Sequence, residues 1–238
     1  MPAKAKALAT LTGLAASAVL AYGPAFAHPH PPEAPPESGN AQASSPFVGR
    51  YDGSRMETAL GMAIHPDGTF AWGLSVGALD LRAQGTWFEE DGTIIFVSDP
   101  RPVAPKFGWS GMERVSDGPL VRVIWSTNGQ PFRHSSIYAT CSNGETVFDQ
   151  VPANGWSPPE ECDKVQTIQL RFDVYDVVSE TYDLVKDFPV EDGETIRFDF
   201  QPNDMGVADF NGAMGQIIDG TLVIEGPLGR MEMRKEAN

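Results

Sequence analysis

Apolar and polar side chains alternate along much of this chain. The alternation is clearest in three segments, in which apolar residues occupy every second position: Phe70, Trp72, Leu74, Val76; Ile168, Leu170, Phe172, Val174; and Ile196, Phe198, Phe200. A period of two places alternate side chains on opposite faces of an extended chain. Each segment is therefore predicted to be a β-strand with one buried and one solvated face.

Turn signals separate these segments. Asp-Gly and Asn-Gly dipeptides tolerate the positive φ angles that tight hairpins need. They begin at Asp52, Asp67, Asp91, Asp117, Asn128, Asn143, Asn154, Asp192, Asn211 and Asp219. Short alternating segments between such turns predict an all-β fold. We expect two antiparallel β units, a small meander or partial barrel followed by a β-sandwich.

Residues 174–186 fit two interpretations. Their apolar positions also recur at helical spacing: Val174, Val177, Val178, Tyr182 and Val185. The β-branched content favours a strand, and a helix is the alternative.

The amino-terminal segment has the pattern of an export signal. Lys4 and Lys6 precede an uncharged stretch over residues 7–22, and Ala25-Phe26-Ala27 matches the small-x-small pattern that signal peptidases cleave. We predict a signal peptide over residues 1–27 and a periplasmic or secreted mature chain. A membrane anchor is the alternative, but a span needs about 20 predominantly apolar residues. No later apolar run approaches that length, so no membrane span is predicted in the mature chain.

The composition changes along the chain after the signal. Residues 28–45 are rich in proline and poor in apolar side chains, which is typical of a disordered linker. Pro/Gly-rich stretches at 101–105 and 116–119 place a boundary near residue 115. The predicted units are residues 46–115 and 116–238.

Charge and length restrict the possible partners. The chain has 238 residues, is 41% hydrophobic and carries a formal net charge of −15. It can therefore bury a core, but it has little with which to neutralise phosphates, and no nucleic-acid partner is predicted.

The first unit resembles calycin or lipocalin-like domains over about residues 46–100. The resemblance is carried by Gly49-Arg50-Tyr51, Asp67-Gly68-Thr69-Phe70, Gly85-Thr86-Trp87 and Asp91-Gly92-Thr93-Ile94. It implies an antiparallel meander around a small barrel. We count about five strands here, against the roughly eight that close a lipocalin barrel.

The second unit resembles the transthyretin-like or carboxypeptidase-regulatory sandwich. The resemblance is carried by a strand over residues 120–125, the turn Asn128-Gly129-Gln130-Pro131 and a strand over residues 136–145. It implies a small β-sandwich that serves as an accessory domain without chemistry of its own.

The two cysteines are predicted to pair. Cys141 and Cys162 are an even count in an oxidising compartment, which favours a disulfide. A redox or nucleophilic thiol is the alternative, but the chain lacks the C-x-x-C spacing.

No sequence signature of catalysis stands out. The chain has no H-E-x-x-H, G-x-x-x-x-G-K or G-x-G-x-x-G motif, so no catalytic residue or cofactor is predicted. The many acidic residues leave open a hydrolase that uses paired carboxylates.

A metal site is at most weakly indicated. Cleavage after Ala27 would expose His28 and His30, but Pro29 between them has no N–H to give to a square-planar chelate. Weak, adventitious copper binding is predicted there, and no structural metal.

Two tryptophans are candidates for contact with a ligand or partner. Trp109 and Trp156 lie in Gly/Pro/Ser-rich segments predicted to be loops, and packing over a core edge is the alternative. The sequence thus predicts an exported, non-enzymatic binding or accessory protein of the cell envelope. A carrier of a small apolar ligand and a secreted hydrolase are the alternatives.

Overall fold

The computed structural model describes residues 44–188 and 193–237, and the all-β prediction is confirmed in them. They form sixteen β-strands and a short 3-10 turn at Asp173–Tyr175, with no α-helix. In chain order the strands are β1 (Gly49–Asp52), β2 (Thr58–Ile64), β3 (Thr69–Val76), β4 (Leu79–Glu90), β5 (Thr93–Ser98), β6 (Lys106–Arg114), β7 (Val121–Trp125), β8 (Ser136–Cys141), β9 (Thr146–Gln150), β10 (Val165–Phe172), β11 (Val177–Val178), β12 (Tyr182–Asp183), β13 (Glu194–Gln201), β14 (Met214–Ile218), β15 (Thr221–Gly226) and β16 (Gly229–Lys235).

Eight of these strands close into an antiparallel barrel. Their order around the barrel is β1, β16, β15, β14, β5, β4, β3 and β2, and β2 pairs back onto β1. The first five strands form the meander expected from the sequence, with tight turns such as Asp91-Gly92, where both residues have positive φ. The last three come from the far end of the chain. They pair with the free edges of β1 and β5, so the barrel is complete rather than partial.

The residues between β5 and β14 form a two-layer sandwich. One sheet has the order β6, β13, β7, in which β7 runs parallel to β13. The other has the order β11, β10, β8, β9, and β12 also pairs with β10. Phe198 and Phe200 of β13 share one buried cluster with Ile168 and Leu170 of β10, so the inner faces of the two sheets pack together.

The ambiguous residues 174–186 are not an α-helix. The 3-10 turn at Asp173–Tyr175 leads into β11 and β12, and both strands pair with β10. The strand interpretation therefore describes this segment better, as two short strands.

The sandwich is inserted into the barrel sequence, and the chain leaves and re-enters the barrel at neighbouring points. The backbone N–H of Asp204 donates to the Val103 carbonyl at 3.1 Å, and the Val103 N–H donates to Asp204 Oδ2 at 2.8 Å. The predicted boundary near residue 115 falls instead between β6 and β7, which both pair with β13. Residues 46–115 and 116–238 therefore do not correspond to the barrel and the sandwich. The Pro/Gly signal at 116–119 marks a loop within the sandwich, because turn residues occur inside a sheet unit as well as between units.

The predicted signal peptide over residues 1–27 and residues 28–43 of the predicted linker lie outside the described residues. So do His28 and His30.

Candidate functional site

Trp109 lies in a strand rather than in the predicted loop. It belongs to β6, an edge strand of its sheet, and pairs with Phe198 of β13. A register shift next to this pair and the positive φ of Gly111 mark a β-bulge, which explains how a Gly/Ser-rich segment is part of a strand. Because cross-strand partners point to the same side, Trp109 lies on the inner side of the sandwich at its edge.

The edge of the sandwich at Trp109 is open to solvent. Trp109 is 54% exposed although it belongs to the inner face, and Met112, which pairs with buried Ile196, is 38% exposed. The ring of Phe188 lies 5.6 Å from that of Trp109 and reaches down to buried Phe198, 6.5 Å away between ring centroids. We call Trp109, Met112 and Phe188 the open seam. It is a surface extension of the aromatic core.

Trp156, the second predicted contact residue, is buried. It is 1% exposed, and its backbone forms a bridge with Val121 in both directions. Its indole N–H donates to Asp149 Oδ2 at 3.2 Å. The packing interpretation left open by the sequence therefore describes Trp156, which fills the sandwich core.

The predicted disulfide between Cys141 and Cys162 is confirmed. Cys141 ends β8, and Cys162 lies in the segment that leads to β10. Next to the bridge, the Ser142 N–H donates to the Lys164 carbonyl at 2.8 Å. The bridge therefore ties the β9 hairpin to the strand that follows it.

The interior of the barrel is filled by side chains. Its buried aromatic residues are Phe47, Tyr51, Phe70, Trp72, Trp87, Phe96 and Phe210. Phe210 comes from the segment between β13 and β14, and its ring lies 5.0 Å from Trp72 and 5.6 Å from Phe70 between centroids. Its backbone N–H donates to the Ser98 hydroxyl at 2.8 Å. The segment that leads from the sandwich back to the barrel thus helps to fill the barrel interior with the Phe210 side chain.

A second surface with exposed aromatic rings was not predicted from the sequence. Phe148 of β9 is 55% exposed, and its ring lies 4.6 Å from that of Tyr138 on β8. We call the outer side of β9, β8 and β10 the outer sandwich face. A sequence signal for this surface was available: every second position of the segment is occupied by Thr146, Phe148 and Gln150, which places these three side chains on one face of a strand.

The carboxyl groups with shifted pKa values do not resemble a catalytic acid. The pKa of Asp52 is lowered by hydrogen bonds from the Ser54 hydroxyl and backbone, and that of Asp67 by those from Thr69. Both carboxyls are exposed. The general acid of a glycoside hydrolase needs a raised pKa, so neither group fits that role.

Across residues 44–188 and 193–237, no group of three or more His, Cys, Asp or Glu side chains is placed to hold a metal ion. The oxygen-rich segment 203–212 uses its carboxylates within the fold, since Asp204 binds the Val103 N–H and Asp209 pairs with Arg101 at 3.0 Å.

Comparison with known proteins gives no family for this chain: no family model, curated protein or solved structure matches it. Among the described residues, no helix is long and apolar enough to cross a membrane.

Proposed function

We propose that this chain is an exported, non-enzymatic binding or accessory protein of the cell envelope, and that it contacts a partner protein through the open seam. The export pattern of residues 1–27 supports a periplasmic or secreted location. The closed eight-stranded barrel is compatible with the lipocalin-like resemblance of the first unit, and the sandwich supports the accessory role implied for the second.

The observation that carries the proposal is the exposure of Trp109. An indole with 54% of its surface in solvent lies on an edge strand, backed by Phe188 and the aromatic core. Tryptophans held in place from below are typical of the residues that dominate protein–protein interfaces. An edge strand also offers unpaired backbone groups to an incoming chain.

The filled barrel favours this proposal over the carrier alternative. A carrier needs an interior volume for its ligand, and the positions that would line one hold packed aromatic rings instead. The contact surface is therefore expected on the outside of the molecule.

Site-specific photocrosslinking tests the proposal. The photoreactive residue p-benzoylphenylalanine is placed at position 109, and in a control at Phe88, which is 43% exposed on the barrel. In the cell that makes the protein, we expect light-dependent adducts from position 109 but not from position 88. Of the two chains in the adduct, the one that carries p-benzoylphenylalanine should have the mass of a chain that begins at His28. Equal adducts at both positions, or none at position 109, would contradict the seam as contact surface.

A further inference from the structure

An aromatic row crosses the outer sandwich face. Phe148 of β9, Tyr138 of β8 and Gln169 of β10 are cross-strand partners, so their side chains lie side by side on one face. Phe148 is more than half exposed, while Tyr138 is partly covered. The row presents one open ring, a second ring beside it and an amide.

Arg171 fixes the second ring without leaving a net charge on the face. Its guanidinium carbon lies 5.3 Å from the centroid of the Tyr138 ring, at a distance typical of a cation–π contact. Its Nε lies 3.3 Å from Asp173 Oδ1 as an ion pair, although the N–H makes no hydrogen bond there. Asp173 also accepts a hydrogen bond from the Ser136 hydroxyl at 2.8 Å. The charge of Arg171 is therefore balanced locally.

Neutral hydrogen-bonding groups flank the aromatic row. Thr146, Thr140 and Thr167 are paired across the same three strands and form a parallel row of hydroxyls. Next to Thr167, on β12, lies Asp183, whose Oδ1 accepts the backbone N–H groups of Val185 and Lys186. In a chain of net charge −15, the six side chains of these two rows carry rings, hydroxyls and an amide and no charge.

This combination selects one class of ligand. Single-stranded nucleic acids also stack on aromatic rings, but their phosphates require cations that an acidic protein with a neutral face does not offer. A protein partner would prefer an apolar centre wider than one exposed ring beside a row of threonines. Sugars fit both parts: their C–H faces pack on the negative face of an aromatic ring, and their hydroxyls bond to amides and hydroxyls. We propose that the outer sandwich face binds a neutral polysaccharide, with Phe148 as the stacking platform.

Affinity electrophoresis of the full exported chain tests the proposal. The gels contain soluble neutral polysaccharides (hydroxyethyl cellulose, xylan, mannan, dextran or laminarin), and parallel gels contain anionic alginate. A labelled oligothymidine is tested by gel shift. Phe148→Ala removes the platform, Phe148→Trp keeps it, and Phe88→Ala is a matched control with an exposed phenylalanine on the barrel. Circular dichroism checks that every variant is folded.

We expect at least one neutral polysaccharide to retard the wild-type chain. Phe148→Ala should weaken that binding at least about tenfold, which corresponds to about 1.4 kcal/mol. Phe148→Trp and Phe88→Ala should bind like the wild type, and Trp109→Ala should too, because this site does not depend on the seam. Absence of retardation across the neutral panel, preference for alginate or oligothymidine, or equal loss in Phe88→Ala would overturn the proposal.

Discussion

Phe210 belongs to the buried core of the barrel. It is fully buried and lies within 6.0 Å, between ring centroids, of Phe70, Trp72 and Phe96. Edge-on and tilted ring pairs of this kind add to the free energy of burial. One side chain from the returning segment thus packs against two strands of the meander, β3 and β5.

Replacing Phe210 with alanine should lower the free energy of unfolding by about 3–5 kcal/mol, because a large cavity would remain among rings that cannot collapse onto it. Phe88→Ala, at a position 43% exposed, should cost no more than about 1 kcal/mol. Urea denaturation of both variants measures the difference. Similar decreases in the free energy of unfolding of the two variants would contradict the role of Phe210 in filling the barrel interior.

At the scale of elements, β9 is an edge strand of its sheet. It pairs only with β8 among the described residues, and its side chains are mostly exposed. The bridge between Cys141 and Cys162 closes the loop that contains it, over a sequence separation of 21. A covalent link of this kind stabilises mainly by restricting the unfolded chain.

Removing the bridge with Cys141→Ala and Cys162→Ala should lower the free energy of unfolding by about 2–4 kcal/mol. Dithiothreitol should destabilise the wild-type chain by a similar amount and leave the double variant unchanged. Urea denaturation with and without reductant measures both effects. A wild-type chain that is insensitive to reductant, once thiol titration shows full reduction, would contradict this role.

At the scale of the whole molecule, the sandwich is inserted along the chain between the first five and the last three strands of the barrel. The strands β1–β5 and β14–β16 share one core, and the strands between them share another. The contact between Val103 and Asp204 brings the two ends of the insertion together. An insertion with neighbouring ends can be removed without stretching the rest of the chain.

We expect a fragment that joins residues 44–103 to residues 204–237 by a short glycine linker to fold cooperatively as a barrel. A fragment of residues 44–115 should not fold, since β1 and β5 would lack their partners and the interior would lack Phe210. Thermal melts followed by circular dichroism compare the two. A cooperative transition in the 44–115 fragment, or none in the joined one, would contradict the nested arrangement.

Local features of this fold could be predicted from the sequence. The alternation around Phe70, Ile168 and Ile196 identified strands, because side-chain period is a property of neighbouring residues. The Asp-Gly dipeptides at Asp67, Asp91 and Asp219 identified hairpins, because backbone freedom is a local property as well. The disulfide followed from having two cysteines beside an export pattern.

Other features were decided by the tertiary structure alone. The pairing of β14–β16 with the first strands and the opposite burial of Trp109 and Trp156 depend on contacts distant in sequence. The neighbouring rings of Phe148 and Tyr138 depend on the register of the hairpin formed by β8 and β9. The local pattern of a strand is the same whichever sheet edge the strand joins. In the same way, the residues next to a tryptophan do not determine which other segments of the chain bury it. Burial is a property of the assembled sheets, and it selects which candidate residues reach the surface.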